Sequence, residues 1–376
     1  MKPSVSAIIV NYGTFQLTSQ AVASILSEDM ADRDVEIFVV DNTATAAEQD
    51  KLQALEAANV HLLFNKANVG FGQACNRAYE LAQGKYILLL NPDAYLLPGS
   101  LPALIQCLSD HPRAGAVAPL TYWDDKKEFL MSPACRISPY ERIQNILLRF
   151  FKPINFLHSH ILRQKVKKVL LSSKPVQQTH LSGGYVLLQR QALDVCGGLF
   201  DPRFFMYYED TDLFKRLIDN HYQLLIEPKA EAIHYRDQCP NPEDKQKHML
   251  MMDSHLKYFK KYDPTGRINR LEKFLSKILN KSYPLKVEEL GPCLTSPELE
   301  VPGKIKHSWM MELSPNANLF PCIVRFGSGD TATIPEEAWK TLRAGNYYVR
   351  LGGVNNFFTY KTWLFEMLPI SRTLTR

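Results

Sequence analysis

Carboxylates are the first chemistry in this chain. Asp93 follows the apolar run Tyr86 to Leu90 and the dipeptide Asn91-Pro92. Glu209, Asp210 and Asp212 crowd into four residues directly after the aromatic stretch "RFFMYY". An acid at the tip of a rigid strand can hold a hard cation in a cleft, and an acid beside aromatic rings can accept a proton. Each also has a plainer reading. Asn-Pro-Asp is ordinary turn chemistry, and Asp and Thr before "DLFKRLI" are good helix caps. Three acids in four residues exceed what a cap needs. His234, in "AIHYRD", is a lone histidine after an apolar run. No Ser-His-Asp or Cys-His arrangement accompanies these groups.

The elements that must carry the acids alternate in period. "VSAIIVNYG", "VEIFVVDNT", "VHLLFN" and "YILLLNPD" read as strands, separated by helical patterns over 15–27, 46–58 and 72–83. Strand-helix alternation predicts a parallel sheet with helices on its faces, and such sheets bind ligands beyond the carboxyl ends of their strands. Small polar or acidic residues sit at all four of those ends: Asn11-Tyr12-Gly13, Asp41-Asn42, Asn65 to Asn68, and Asn91 to Asp93. Turn chemistry explains any one of them, and their recurrence favours a site. Gly70 and Gly72 lie where a strand turns into a helix, without the spacing of a dinucleotide fingerprint. Ser182-Gly183-Gly184 opens a further strand.

The 376 residues suffice for two domains, and 45% apolar with 22% charged residues is ordinary for a globular protein. Seven scattered cysteines without a CxxC pair argue against a disulfide framework or zinc ribbon. No signal peptide or membrane-spanning run is visible, so the expected location is the cytoplasm. The net charge is +5, but residues 136–175 carry nine Lys/Arg against one acid. That segment holds +8 and leaves the remainder at −3. Such a local excess points to an anionic surface and not to nucleic acid. With Leu, Ile, Phe and Val between the cations, it reads as a solvated basic face or as an element lying on a membrane. Beyond 285 the chain is Pro- and Gly-punctuated with short alternating runs, the texture of a small β-sandwich.

Taken in order, "IIVNYG", "VVDNT", "NKANVGFGQACNRA", "YILLLNPDAYLLPG", "LSGGYVLLQRQAL…CGGLFDPRFFMYYEDTDLFKR" and "AIHYRD" resemble the family 2 glycosyltransferases, especially bacterial rhamnosyltransferase-like members. The resemblance covers residues 4 to about 262. It implies a GT-A fold: a Rossmann-like mixed α/β sheet flanked by helices, occupying 1–265. A helical linker over 266–284 and a mainly-β accessory module over 285–376 would follow.

The same resemblance implies roles. Asn91-Pro92-Asp93 stands at the family's Asp-x-Asp motif, making Asp93 and His234 the ligands of Mn²⁺ or Mg²⁺. Asn replaces the first acid, which lowers the charge offered to a metal. Asp41 and Asn42 match a pyrimidine- and ribose-reading pair. Asn11, Asn68, Gly70, Gly72, Asn91 and Arg236 would complete the donor site, and Ser182, Gly183 and Gly184 the acceptor side. Asp210 is the implied catalytic base, its pKa expected to be raised by burial beside aromatic rings and the neighbouring acid, with Glu209 as runner-up. The implied activity is inverting transfer from a dTDP- or UDP-sugar, rhamnose foremost, to a saccharide or lipid-linked saccharide of a bacterial surface polysaccharide. The enzyme would sit peripherally at the inner membrane face. The alternatives are a non-catalytic carbohydrate- or lipid-binding protein on the same scaffold, and a nucleotidyltransferase.

Overall fold

The computed structural model describes residues 4–30, 34–134, 143–144, 146–147, 152–235, 244–279, 287–355 and 360–369. The chain divides into two compact units. One comprises Met1–Thr121, Ala134–Arg142 and Ser172–Lys273; the other comprises Tyr122–Pro133, Ile143–Leu171 and Phe274–Arg376.

The first unit begins with the expected alternation: β1 (Val5–Asn11), α1 (Phe15–Leu26), β2 (Val35–Asp41), α2 (Ala46–Leu52), β3 (Val60–Phe64), α3 (Phe71–Leu81) and β4 (Tyr86–Leu90). β1 pairs in parallel with both β2 and β4, and β2 with β3. Every residue of β1 and β4 is buried, as strands covered on both faces must be. Truncating one such leucine to alanine would cost about 2–5 kcal/mol. β5 (Ala94–Leu96), α4 (Ser100–Asp110) and β6 (Ala114–Tyr122) follow.

The chain then contributes β7 (Leu130–Met131) and α5 (Lys152–Leu170) to the second unit. It returns to the first as β8 (Val176–Gln178), β9 (Tyr185–Gln189), α6 (Arg190–Val195), α7 (Glu209–Asp219), β10 (Gln223–His234) and α8 (Asp244–Tyr262). β9 runs antiparallel between β4 and β6, which makes the sheet mixed. β10 pairs antiparallel with β5, so His234 lies opposite Ala94, one residue from Asp93. Pro92 ends β4 where a missing N–H would break the ladder.

After α9 (Arg267–Ile278) come β11 (Glu288–Cys293), β12 (Leu299–Glu300), β13 (Trp309–Ser314), β14 (Ile323–Gly327), β15 (Thr331–Ala332), α10 (Glu336–Thr341), β16 (Gly345–Gly353) and β17 (Tyr360–Met367). β11, β17, β16, β13, β14 and β7 form one sheet in that order, and β12 pairs with β15. Trp309, Trp339, Trp363 and Phe365 are buried in the core of this unit. These aromatics serve as packing in this unit.

The basic segment is partly spent inside the second unit. Arg163 on α5 is buried and ion-paired with Glu312 at 3.0 Å. Glu312 also takes two hydrogen bonds from the Arg350 guanidinium, at 2.7 and 2.6 Å. Lys167 Nζ donates to the Val354 carbonyl at 2.8 Å. Lys165, Lys168 and Lys174 remain exposed.

Candidate active site

The site assembles where β1, β2 and β4 end and the loop before α7 begins. At the end of β1, Asn11 is fully buried and its side chain is used internally. Its amide donates to Asp41 Oδ1 and Glu48 Oε1, both at 3.2 Å, and its oxygen accepts from Thr14 and Thr18. Asp41 is equally buried. Its carboxylate accepts the backbone N–H groups of Thr43 at 3.0 Å and Ala44 at 3.3 Å, a self-made turn after β2. Asn42 stitches that turn to the next one: it donates to Asn68 Oδ1 at 2.8 Å and accepts from Asn65 and from the Val69 N–H. Asn11, Asp41 and Asn42 thus form the frame of this end of the sheet, while Asn68 is exposed.

The glycines of "NVGFG" serve a close approach that the sequence did not identify. Gly70 has φ 86°, and a Cβ there would collide with the Phe205 carbonyl and ring. Phe71 N–H donates to that carbonyl at 2.9 Å. A Cβ on Gly72 would sit 3.4 Å from the Phe204 carbonyl and 3.7 Å from Glu209 Cβ. The partner is the aromatic loop that leads into the acids, so the two halves of the site are held together by backbone contact.

On the other side, Ser182-Gly183-Gly184 links both acid clusters. The Asn91 N–H donates to the Gly184 carbonyl at 2.7 Å, and a Cβ on Gly184 would fall 2.6 Å from Asn91 Nδ2. A Cβ on Gly183 would fall 2.9 Å from Asp210 Cβ. Only glycine leaves that space open. Two consecutive glycines therefore pack against Asp210 on one side and against Asn91, two residues before Asp93, on the other, although more than a hundred residues separate the two acids in sequence. Asp93 is buried, and its Oδ1 lies 3.2 Å from His234 Nε2. The Tyr185 ring packs against the His234 ring at 5.2 Å, and His234 Nδ1 is buried with no hydrogen-bond partner. Arg236 lies outside the described residues.

α7 opens with the acids. Tyr207 and Tyr208 precede it with φ of 69° and 68°, a conformation that bulky residues rarely adopt. α8 holds them there. Ser254 Oγ donates to the Met206 carbonyl at 2.7 Å, and Tyr208 Oη bonds His255 Nδ1 at 2.8 Å. Asp212, wholly buried, binds Arg216 at 2.8 Å, Tyr262 Oη at 2.7 Å and the Lys261 ammonium. Asp212 is an anchor, and Asp210 is the partly exposed acid. Asp210 Oδ1 accepts the Thr211 N–H at 2.6 Å.

Glu209 differs from both. It is buried, its Oε2 has no partner, and no described Lys or Arg is paired with it. Burial, and then the charge of Asp210, push its carboxyl up to about 8. Glu209 is therefore protonated at neutral pH. Asp210 is the acid that faces Gly183.

A surface cleft of about 440 Å³, lined by Lys85, Tyr86, Gln189, Arg190 and Asp194 among others, lies at the opposite end of β4 and touches none of these acids.

Comparisons with known proteins identify the family. Residues 6–171 match the family described as Glycosyl transferase family 2. Over 219 residues the chain is 32% identical to the N-acetylglucosaminyl-diphospho-decaprenol L-rhamnosyltransferase of Mycobacterium tuberculosis (strain H37Rv), covering 54% of this chain and 68% of that relative. The chain belongs to glycosyl transferase family 2. It is a rhamnosyltransferase-like glycosyltransferase of α/β GT-A type, and the nucleotidyltransferase alternative falls. A further relative of this glycosyltransferase, a putative teichuronic acid biosynthesis glycosyltransferase of Bacillus subtilis (strain 168), is 33% identical over 94 residues, covering 24% of this chain and 36% of the relative.

Among solved structures, GalNAc-T7 with UDP, GalNAc and Mn²⁺ matches at 15% identity and TM-score 0.47, covering 94% of this chain and 65% of that one. The Pyrobaculum calidifontis mannosyltransferase PcManGT, in complex with GDP-Man and Mn²⁺, matches at 16% identity and TM-score 0.45, covering 74% and 70%. At such scores the likeness is loose, and the fold assignment rests on the family match and the strand order described above.

Proposed function

We propose that this glycosyltransferase moves a sugar, rhamnose foremost, from a dTDP or UDP carrier to a lipid-linked saccharide in the assembly of a bacterial surface polysaccharide. The anomeric centre is inverted. The observation that supports the reading is the Gly183-Gly184 bridge, which packs against the partly exposed Asp210 and against Asn91, two residues before Asp93. The activity of the 32% identical relative supports the sugar and the class of acceptor.

In this reading Asp210 accepts the proton of the acceptor hydroxyl while that oxygen attacks the anomeric carbon. The glycosidic bond to the nucleotide diphosphate breaks in the same displacement, and no second carboxylate is needed as nucleophile. Glu209 is kept neutral by burial. Ser182, Gly183 and Gly184 border the acceptor sugar, the two glycines letting Asp210 and Asn91 pack close to this strand start. Asn11, Asp41 and Asn42 hold the strand ends beside the donor, and Asn68 offers an exposed amide to it.

A divalent cation fits the tip of β4. Asp93 and His234 supply a carboxylate and an imidazole within hydrogen-bond distance of each other. Among the described residues no cluster of three or more His, Cys, Asp and Glu converges. Two protein donors suit an ion that completes its shell with phosphate oxygens and water. When bound, the cation would neutralise charge on the leaving diphosphate. The basic segment 136–175 is proposed to meet an anionic membrane surface through the exposed Lys165, Lys168 and Lys174. Among the described residues, no helix is long and apolar enough to cross a membrane.

Thermal melting with a panel of nucleotide sugars, with and without Mn²⁺ or Mg²⁺, tests the reading. Stabilisation by one dTDP- or UDP-sugar that needs the cation is expected. A chain that no nucleotide sugar stabilises, with or without metal, overturns it.

A further inference from the structure

α9 is amphipathic in an unusual way: much of its apolar surface faces outward. Leu271, Phe274 and Ile278 are 46%, 59% and 58% exposed. At about 100° per residue, this i, i+3, i+7 spacing puts them in a single stripe about 60° wide. Arg270, Lys273 and Lys277 fill the adjoining stripe, and Arg267 stands one turn before Leu271 at the head of the apolar one. All four cations are exposed. The only acid on the helix, Glu272, is buried on another side. The outward side of α9 therefore combines three large apolar side chains with four positive charges and no negative one.

α9 also has a capped start. Asp263 caps its first turn, its carboxylate accepting the N–H groups of Arg267, Ile268 and Asn269 at 3.1, 3.0 and 3.2 Å. The preceding helix, α8, repeats the pattern with Met249, Met252 and Leu256 exposed at the same spacing. Its inner side holds the catalytic loop through Ser254 and His255.

We infer that α9 lies flat in the headgroup layer of an anionic lipid bilayer, with Leu271, Phe274 and Ile278 entering the acyl boundary and the four cations meeting lipid phosphates. Charge decides the occupant. A protein partner or a second copy would need acids to match the cationic stripe, whereas an anionic bilayer supplies negative charge beside apolar depth along the whole helix. The inference does not depend on the sugar or nucleotide proposed above, and it assigns an element distinct from segment 136–175.

Sedimentation of the full chain with phosphatidylglycerol–phosphatidylcholine vesicles, and with phosphatidylcholine vesicles alone, tests it. Binding is expected only to the anionic vesicles and should fall with added salt. The Leu271→Ser/Phe274→Ser/Ile278→Ser variant and the Arg270→Glu/Lys273→Glu/Lys277→Glu variant should each weaken binding by about tenfold or more. Both should keep wild-type transfer to an acceptor with a short, soluble lipid. The milder Phe274→Trp variant gives a readout independent of any folding defect: its added emission should shift to the blue on anionic vesicles and be quenched by brominated lipid. Wild-type vesicle binding in either triple variant, or an unshifted emission from the Phe274→Trp variant, overturns the inference. So does a change of oligomeric state in the triple variants with vesicle binding intact. Absence of transfer in the wild type would overturn the functional reading, and the vesicle results would still decide this one.

Discussion

Two buried glutamates divide the molecule by purpose. Glu312, in the core of the second unit, is held by Arg350 through two hydrogen bonds and by Arg163 at 3.0 Å. Glu209, in the first unit, has an unpartnered oxygen, no described cation paired with it, and another acid next in sequence. A charge that burial must enclose is normally neutralised by a partner. Where a partner is present, as at Glu312, the group is architecture. Where it is missing, the group keeps its proton instead, and the site gains a neutral acid. Asp212, three residues along, shows that the contrast does not depend on local sequence: it is the most buried acid of its cluster and the most fully paired.

That comparison can be broken at three points. The largest effect is expected at Asp210. Asp210→Asn should lower kcat by about 10²–10⁴ while nucleotide-sugar binding, read by thermal melting, persists. Transfer at wild-type rate would remove Asp210 as the base. Next is Glu312→Gln, which strands two buried guanidinium groups. A loss of about 3–5 kcal/mol in denaturant unfolding is expected. A neutral result would mean that the pair is not needed to hold α5 on its sheet.

The smallest effect belongs to Glu209→Gln, and its sign is definite. Burial raises the folded-state carboxyl from its ordinary 4.5 to about 8. The folded chain therefore holds a proton that the unfolded chain releases. Stability from this group is complete below about pH 4.5 and declines as pH rises toward 8. Glu209→Gln removes the titration, so the variant should gain melting temperature relative to wild type between pH 5 and pH 8. The gain should be roughly 2–4 °C for each kcal/mol involved. Parallel pH profiles for the two proteins would sink the assignment of a neutral Glu209.

Much of this was legible in the residues, for a physical reason. Parallel strands covered on both faces must be apolar runs, so β1, β2 and β4 announce themselves, and Pro92 marks where β4 stops. The acids after "RFFMYY" stood out because three charges exceed what a helix start requires. Long-range pairing left no local trace. Nothing near Arg163 says that it meets Glu312 instead of solvent, and nothing near Asp41 says that its carboxylate will be consumed by the turn that follows it. The left-handed backbone at Tyr207 and Tyr208 was hidden too, because only glycine or asparagine would have signalled it. Nothing in "HLKYFKKY" hints that this stretch of α8 clasps that strained pair.

That clasp limits how far the enzyme can be shortened. The region matched by the family ends at residue 171, well before Asp210. A polypeptide stopped just after β10 would still contain Asp93, Glu209, Asp210 and Asp212. It would lack the hydroxyl of Ser254, the ring of His255 and the ammonium of Lys261 that hold the turn before α7 in an unfavourable conformation. Released from them, the tyrosine pair would relax and carry Asp210 away from Gly183. The smallest competent catalyst therefore reaches at least to Tyr262.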